Sequence, residues 1–191
     1  MSTAQPVPHQ PVPDLLPDDL RLLFVGINPG LWSAATGAHF ARPGNRFWPA
    51  LALAGITEHP VDCKEGMSEA DRRHVEGRGV GITNFVSRAS ARADELSTQE
   101  IRDGAVRLQR FVAEHHPRVV AIVGLGAYRT GFRRPRARAG RQPELLAGAE
   151  LWVLPNPSGL NAHETVASLA EAYGAAADAA GIERRPQRAT R

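Results

Sequence analysis

Along the chain, short unbroken apolar runs alternate with longer segments in which apolar residues return every third or fourth position. LLFVGI (22–27), VGITNFV (80–86), RVVAIVG (118–124) and ELWVLPN (150–156) are the runs, each long enough for one strand. A strand apolar at consecutive positions buries both of its faces, as in a parallel sheet covered by helices on each side. NRFWPALALAGI (45–56) has helical character in its middle, with Gly55 as a stop. STQE at 97–100 reads as a capping box, Ser97 at the N-cap and Glu100 at N3, and the following IRDGAVRLQRFVAEHH keeps helical spacing. A last helix is expected over roughly HETVASLAEAYGAAADAAG. This alternation predicts an α/β fold: a single-domain, three-layer α/β/α architecture with a short, mainly parallel central sheet. The domain is expected over 20–181. A proline-rich flexible tail precedes it at 1–19, and a basic tail, IERRPQRATR, follows at 182–191.

Sheets of this kind bind ligands beyond the carboxyl ends of their strands, so the loops after Ile27, Thr83 and Leu154 are expected to converge. Two of them are alike. GINPG and LPNPSGLNAHE each place Asn-Pro where a strand ends, with glycine close behind. Proline biases the asparagine before it away from helical backbone, and glycine lets a ligand approach. Either loop alone passes for an ordinary turn. Their recurrence at two strand ends of one small domain points to a shared site.

Charge sharpens the picture. In 191 residues the formal net charge is only +3, yet Lys64 is the single lysine and arginines cluster. Arg129, Arg133, Arg134, Arg136, Arg138 and Arg141 crowd one segment, suited to anionic partners and first to nucleic acid. With Cys63 alone, neither a disulfide within the chain nor a cysteine-ligated cluster can form. No segment has the apolar length of a membrane span, so a soluble protein of the cytoplasm is expected. HETVA (163–167) lacks the second histidine of a zinc motif, and PNPSGL lacks the G-x-S-x-G spacing of a hydrolase elbow. VGLGAYRTG (123–131) matches a dinucleotide turn only in part, with Arg129 in place of the third glycine.

GINPGLWSAATGAHFARPGNRFW, GITN at 81–84 and WVLPNPSGL at 152–160 together resemble the mismatch-specific uracil/thymine DNA glycosylases of the uracil-DNA glycosylase superfamily. The likeness runs from about Leu22 to about Gly181. It implies that superfamily's fold and a monofunctional enzyme that hydrolyses the N-glycosidic bond of uracil, or of another damaged base, in mismatched DNA. It implies no metal or organic cofactor. A monomer acting on double-stranded DNA is expected.

By the resemblance Asn28 positions the attacking water. An amide oxygen can aim a water by accepting its hydrogen, but an amide is no general base near neutral pH. Ile27, Gly30, Phe40 and Asn84 then contact the flipped base, Phe40 by stacking and Asn84 by donating and accepting at a pyrimidine edge. Gly159, Leu160 and Asn161 match the wedge that fills the gap in the duplex and faces the opposite base. Asn156 and Ser158 shape that loop or meet phosphate. Asp94, in RASARADELS, is either a helix-start carboxylate or a second group acting on the water.

Phe47 and Trp48 read as core, and His39 as a solvated loop histidine. Two departures from the family pattern stand out. Ala162 and His163 follow the wedge where arginine is common, and Asn84 stands where some bacterial members have lysine. Two other readings remain: a non-catalytic damaged-DNA-binding module on the same fold, and a nucleotide-binding enzyme using VGLGAYRTG.

Overall fold

The structure is a computed structural model that describes residues 11–185. Strands β1 (Leu22–Gly26), β2 (Val80–Asn84), β3 (Val119–Val123), β4 (Gly140–Leu146) and β5 (Ala149–Leu154) form one sheet in the order β2-β1-β3-β5-β4. β1 runs parallel to β2 and β3, β3 runs parallel to β5, and β4 lies antiparallel on β5 at one edge. The helices are α1 (Leu31–Thr36), α2 (Phe47–Leu53), α3 (Glu69–Gly77), α4 (Thr98–His115), α5 (Leu125–Gly131) and α6 (Val166–Ala179).

The apolar runs are unbroken because β1, β2 and β3 are buried at every residue. Side chains alternate between two cores. Leu22 and Phe24 face α2 and α6, meeting Phe47, Leu51, Leu169 and Tyr173. Leu23 and Val25 face α4 and α5, meeting Leu108, Val112 and Tyr128. Each large apolar side chain taken fully from water contributes about 1.5–3 kcal/mol, so this pattern fixes both the layers and the register. Phe47 and Trp48 lie in the first core, as read from the sequence.

The Ser97–Glu100 capping box forms as expected and starts α4. By contrast, β4 had no signal: in GRQPELL only Gln142 and Leu146 are buried, and the ladder with β5 shifts register between Arg141 and Leu145.

Residues 11–19 lie against the domain and are not free of its core. Val12 and Leu15 are buried, and Leu15 exchanges two 2.9 Å backbone hydrogen bonds with Ile82, capping the outer edge of β2. At the other end Ile182 is buried and the Arg185 amide donates to the Gly55 carbonyl at 2.8 Å. The rest of the two expected tails, 1–10 and 186–191, lies outside the described residues. Among the described residues no helix is long and apolar enough to cross a membrane.

Candidate active site

Beyond their last paired residues β1 and β2 stay joined. Phe85 N–H donates to Gly26, Val86 N–H to Ile27 and Ser90 N–H to Pro29, at 2.9, 3.0 and 3.1 Å. The loop after β5 closes on these two, and a cleft of about 340 Å³ opens between them. Asn28 and Asn156 from the loops after β1 and β5, and Asn84 at the end of β2, line it together with Phe40, Asp94 and Leu160.

Asn28 is held by its amide nitrogen. Nδ2 donates to the Arg88 carbonyl at 2.9 Å and to Ser90 Oγ at 2.8 Å. The Ser90 hydroxyl donates in turn to the Arg92 carbonyl at 2.6 Å, so toward Asn28 it can only accept. The carboxamide therefore has one orientation, and among the described residues Oδ1 is left without a partner. The support reaches back to the helix cap. Arg88 binds Glu100 at 2.8 and 3.2 Å, and the Arg88 and Ser97 contacts draw the Glu100 carboxyl down to about 2. The capping carboxylate of α4 thus also pairs with the side chain of the residue whose carbonyl holds Asn28.

Phe40 and Asn84 meet across Gly26. A Cβ at Gly26 would lie 2.4 Å from Asn84 Oδ1 and 3.3 Å from Phe40 Cζ, so only glycine lets both approach. Phe40 adopts φ 55° and stacks on Phe47 with ring centroids 4.0 Å apart, leaving the ring as a wall of the cleft. His39 sits behind Asn84. It is 6% exposed, a correction to the solvated histidine expected from its loop setting. Its Nε2 lies 2.9 Å from the Pro13 carbonyl, which can only accept, so Nε2 carries the proton. Nδ1 is then the acceptor for Asn84 Nδ2 at 3.3 Å. Burial pushes the His39 pKa below its ordinary value, which keeps the ring neutral in this role.

The loop after β5 is built around Arg46. Its guanidinium donates to the carbonyls of Ser158, Asn161 and Glu164, and its amide to that of Pro157 at 3.0 Å. Asn156 Oδ1 accepts from Ser158 N–H at 2.8 Å, an Asx turn. The Asn161 carboxamide is spent inside the same loop, donating to Asn156 and accepting from His163 N–H. Gly159 packs so closely that a Cβ would come 2.8 Å from the Gly44 carbonyl. Held this way, Leu160 stands 73% exposed at the cleft mouth.

Of the residues singled out in the sequence, Ile27, Asn28, Gly30, Phe40, Asn84, Asp94, Asn156, Ser158 and Leu160 meet at this cleft. Gly159 borders the adjoining groove with Pro43 and Gly44. Asp94 lies on the outer wall, where both carboxylate oxygens engage Arg92 at 2.5 and 3.0 Å. Ser90, His39, Arg46 and Arg92 complete the site; His39 was read as a solvated loop residue, and the other three were not picked out. The first three act on loop carbonyls and carboxamides distant in sequence, for which no local pattern exists.

A doubly covered, mainly parallel sheet with a cleft at its carboxyl edge, lined by carboxamides and walled by the Phe40 ring, defines a three-layer α/β protein. The model of the uracil DNA glycosylase superfamily matches residues 13–177, and the chain belongs to that superfamily. Membership places it among proteins of DNA glycosylase type. A solved structure of the same fold is the solution NMR structure of a "putative Uracil DNA glycosylase" from Methanosarcina acetivorans. Its TM-score is 0.61 at 18% identity, over 90% of this chain and 98% of that one.

Proposed function

We propose that this protein is a monofunctional DNA glycosylase that flips uracil, and related damaged pyrimidines such as mismatched thymine, out of mismatched duplex DNA and hydrolyses the N-glycosidic bond. The observation that carries this reading is the fixed carboxamide of Asn28. With Nδ2 committed to Arg88 and Ser90, Oδ1 is the atom left to accept a hydrogen from water and aim it at the sugar carbon.

The flipped base lies on the Phe40 ring, where stacking contributes about 1–3 kcal/mol. Asn84, its amide nitrogen turned to His39, offers Oδ1 and a remaining N–H to the pyrimidine edge. Because an amide aims water without deprotonating it, the reaction depends on stabilising the departing base anion. That falls to Asn84 and to backbone amides of the 27–40 loop.

Leu160 enters the gap in the stack, on a loop kept in shape by Arg46, Asn156 and Asn161. Asp94 acts through Arg92, holding a guanidinium at the mouth where a phosphate of the flipped nucleotide passes. The reaction proposed uses no metal or organic cofactor.

A single-turnover assay on duplexes carrying U opposite G, U opposite A, or T opposite G tests the reading. Release of uracil from the G·U duplex with an intact abasic strand is expected. A wild-type protein in excess that binds these duplexes but frees no base would make it a binding module instead.

A further inference from the structure

We propose that the loop between α5 and β4 is a second, preformed anion-binding surface that takes the backbone phosphates of duplex DNA on one flank of the lesion. The proposal rests on the glycosylase reading for the position of the lesion.

The loop carries Arg133, Arg134, Arg136 and Arg138, all exposed, around a concavity of about 580 Å³. Two of the nearby guanidinium groups are neutralised. Arg134 pairs with Glu144 at 3.2 Å, and Arg141 with Glu150 at 2.9 Å. Glu144 also accepts from the Tyr128 hydroxyl at 3.0 Å. With both carboxylates taken, Arg133, Arg136 and Arg138 have no acidic partner among the described residues.

Their backbone, by contrast, is pinned from both sides. Arg129 donates to the Ala137 carbonyl at 2.9 and 2.7 Å. Buried Gln142 donates to the carbonyls of Arg138 and Gly140 at 2.8 and 2.9 Å. Arg134 N–H reaches Arg129, and Ala137 N–H reaches Arg134, each at 3.0 Å. Arg133 holds φ 55°, a left-handed backbone that costs a residue bearing a Cβ. A merely solvated run of charge needs none of this order. Three unpaired forks on a fixed frame suit a repeating row of phosphates.

Topology puts the loop beside the cleft. Gly140 pairs with Val153, so the loop leaves the same sheet edge from which β5 runs on to the Leu160 loop. From β1 to β4 the order β2-β1-β3-β5-β4 crosses three strand spacings, about 14 Å at ~4.8 Å each. For a duplex whose axis follows the sheet edge, that is roughly four base pairs from the lesion.

The test is fluorescence anisotropy with the full chain over a salt series, on G·U duplexes with long flanks or with one flank trimmed short of about four base pairs. Wild type is expected to lose affinity on trimming one flank and not the other. The Arg133→Ala/Arg136→Ala/Arg138→Ala variant should bind the long duplex as wild type binds the trimmed one. Its log–log salt slope should be shallower by about 2–3. Excision at saturating enzyme should be unchanged, which also shows that the variant folds, and the triple lysine variant should restore the slope. Unchanged slope and affinity in the alanine variant, or equal sensitivity to both flanks, overturns the proposal. If wild type frees no uracil, the glycosylase reading falls, while the flank and salt measurements, being of binding, still decide the loop.

Discussion

Ser90 Oγ lies 2.8 Å from Asn28 Nδ2 and gives its own proton to the Arg92 carbonyl, so with the Arg88 carbonyl it sets which way the carboxamide of Asn28 faces. Removing that acceptor leaves backbone carbonyls alone to hold the amide. Ser90→Ala is expected to slow single-turnover uracil release by roughly fivefold to tenfold, the equivalent of one hydrogen bond of ~1–1.5 kcal/mol. Asn28→Ala should slow it by about 10²-fold or more while still binding the duplex. Equal rates for wild type and Asn28→Ala would remove the water from this residue.

Arg46 ties three carbonyls of the Leu160 loop to α2. Arg46→Met should lower stability in urea by about 2–3 kcal/mol, because charge-assisted hydrogen bonds are lost and partly buried carbonyls are stranded. In the folded protein its loss should resemble that of Leu160→Ala: weaker duplex binding, with single-stranded uracil cleaved nearly as before. If Leu160→Ala lowers both equally, the residue is no wedge.

Asp94 gives both oxygens to Arg92 on an exposed wall. Exposed pairs contribute little, so Asp94→Asn should change the excision rate by less than about threefold. A large drop with unchanged duplex affinity would instead make the carboxylate a partner of the water.

His39 supplies a pH dependence whose sign follows from its burial. Desolvation lowers its folded pKa below the ordinary 6.5; Arg72 adds to this, while the Pro13 contact and Asp14 oppose it. In that window the unfolded chain binds the extra proton, so stability is full above about pH 6.5 and falls as pH drops toward the folded value. His74 shifts the same way. Thermal melts of wild type and His39→Gln at neutral and mildly acidic pH should therefore differ in slope, with the variant less acid-sensitive. Parallel slopes would mean His39 takes up its proton without loss.

Much of the architecture was legible because burial on two faces leaves no polar position in β1 or β3, and because Ser97 and Glu100 sit at a capping spacing. β4 was not, since an edge strand with a register shift needs neither alternation nor apolar content. α3 was missed for a similar reason: of EADRRHVEG only Val75 is buried. Within the cleft, Asn28 stood out because Asn-Pro ends a strand, whereas Phe40 and Asn84 were placed there by the family resemblance of their motifs. Arg46 and His39 did not. They bind main-chain carbonyls far along the chain, and a carbonyl is the one group every residue shares.

The segment around Pro13 gives the molecule a dial that is absent from the cleft itself. Its carbonyl, not its side chain, sets the proton on His39 and through it the direction of the Asn84 carboxamide. Replacing the ring at position 13 would leave that message intact, whereas rerouting the segment that Leu15 ties to Ile82 would garble it. On the glycosylase reading, base preference can therefore be retuned from the Pro13 segment while every residue proposed to touch the base stays the same.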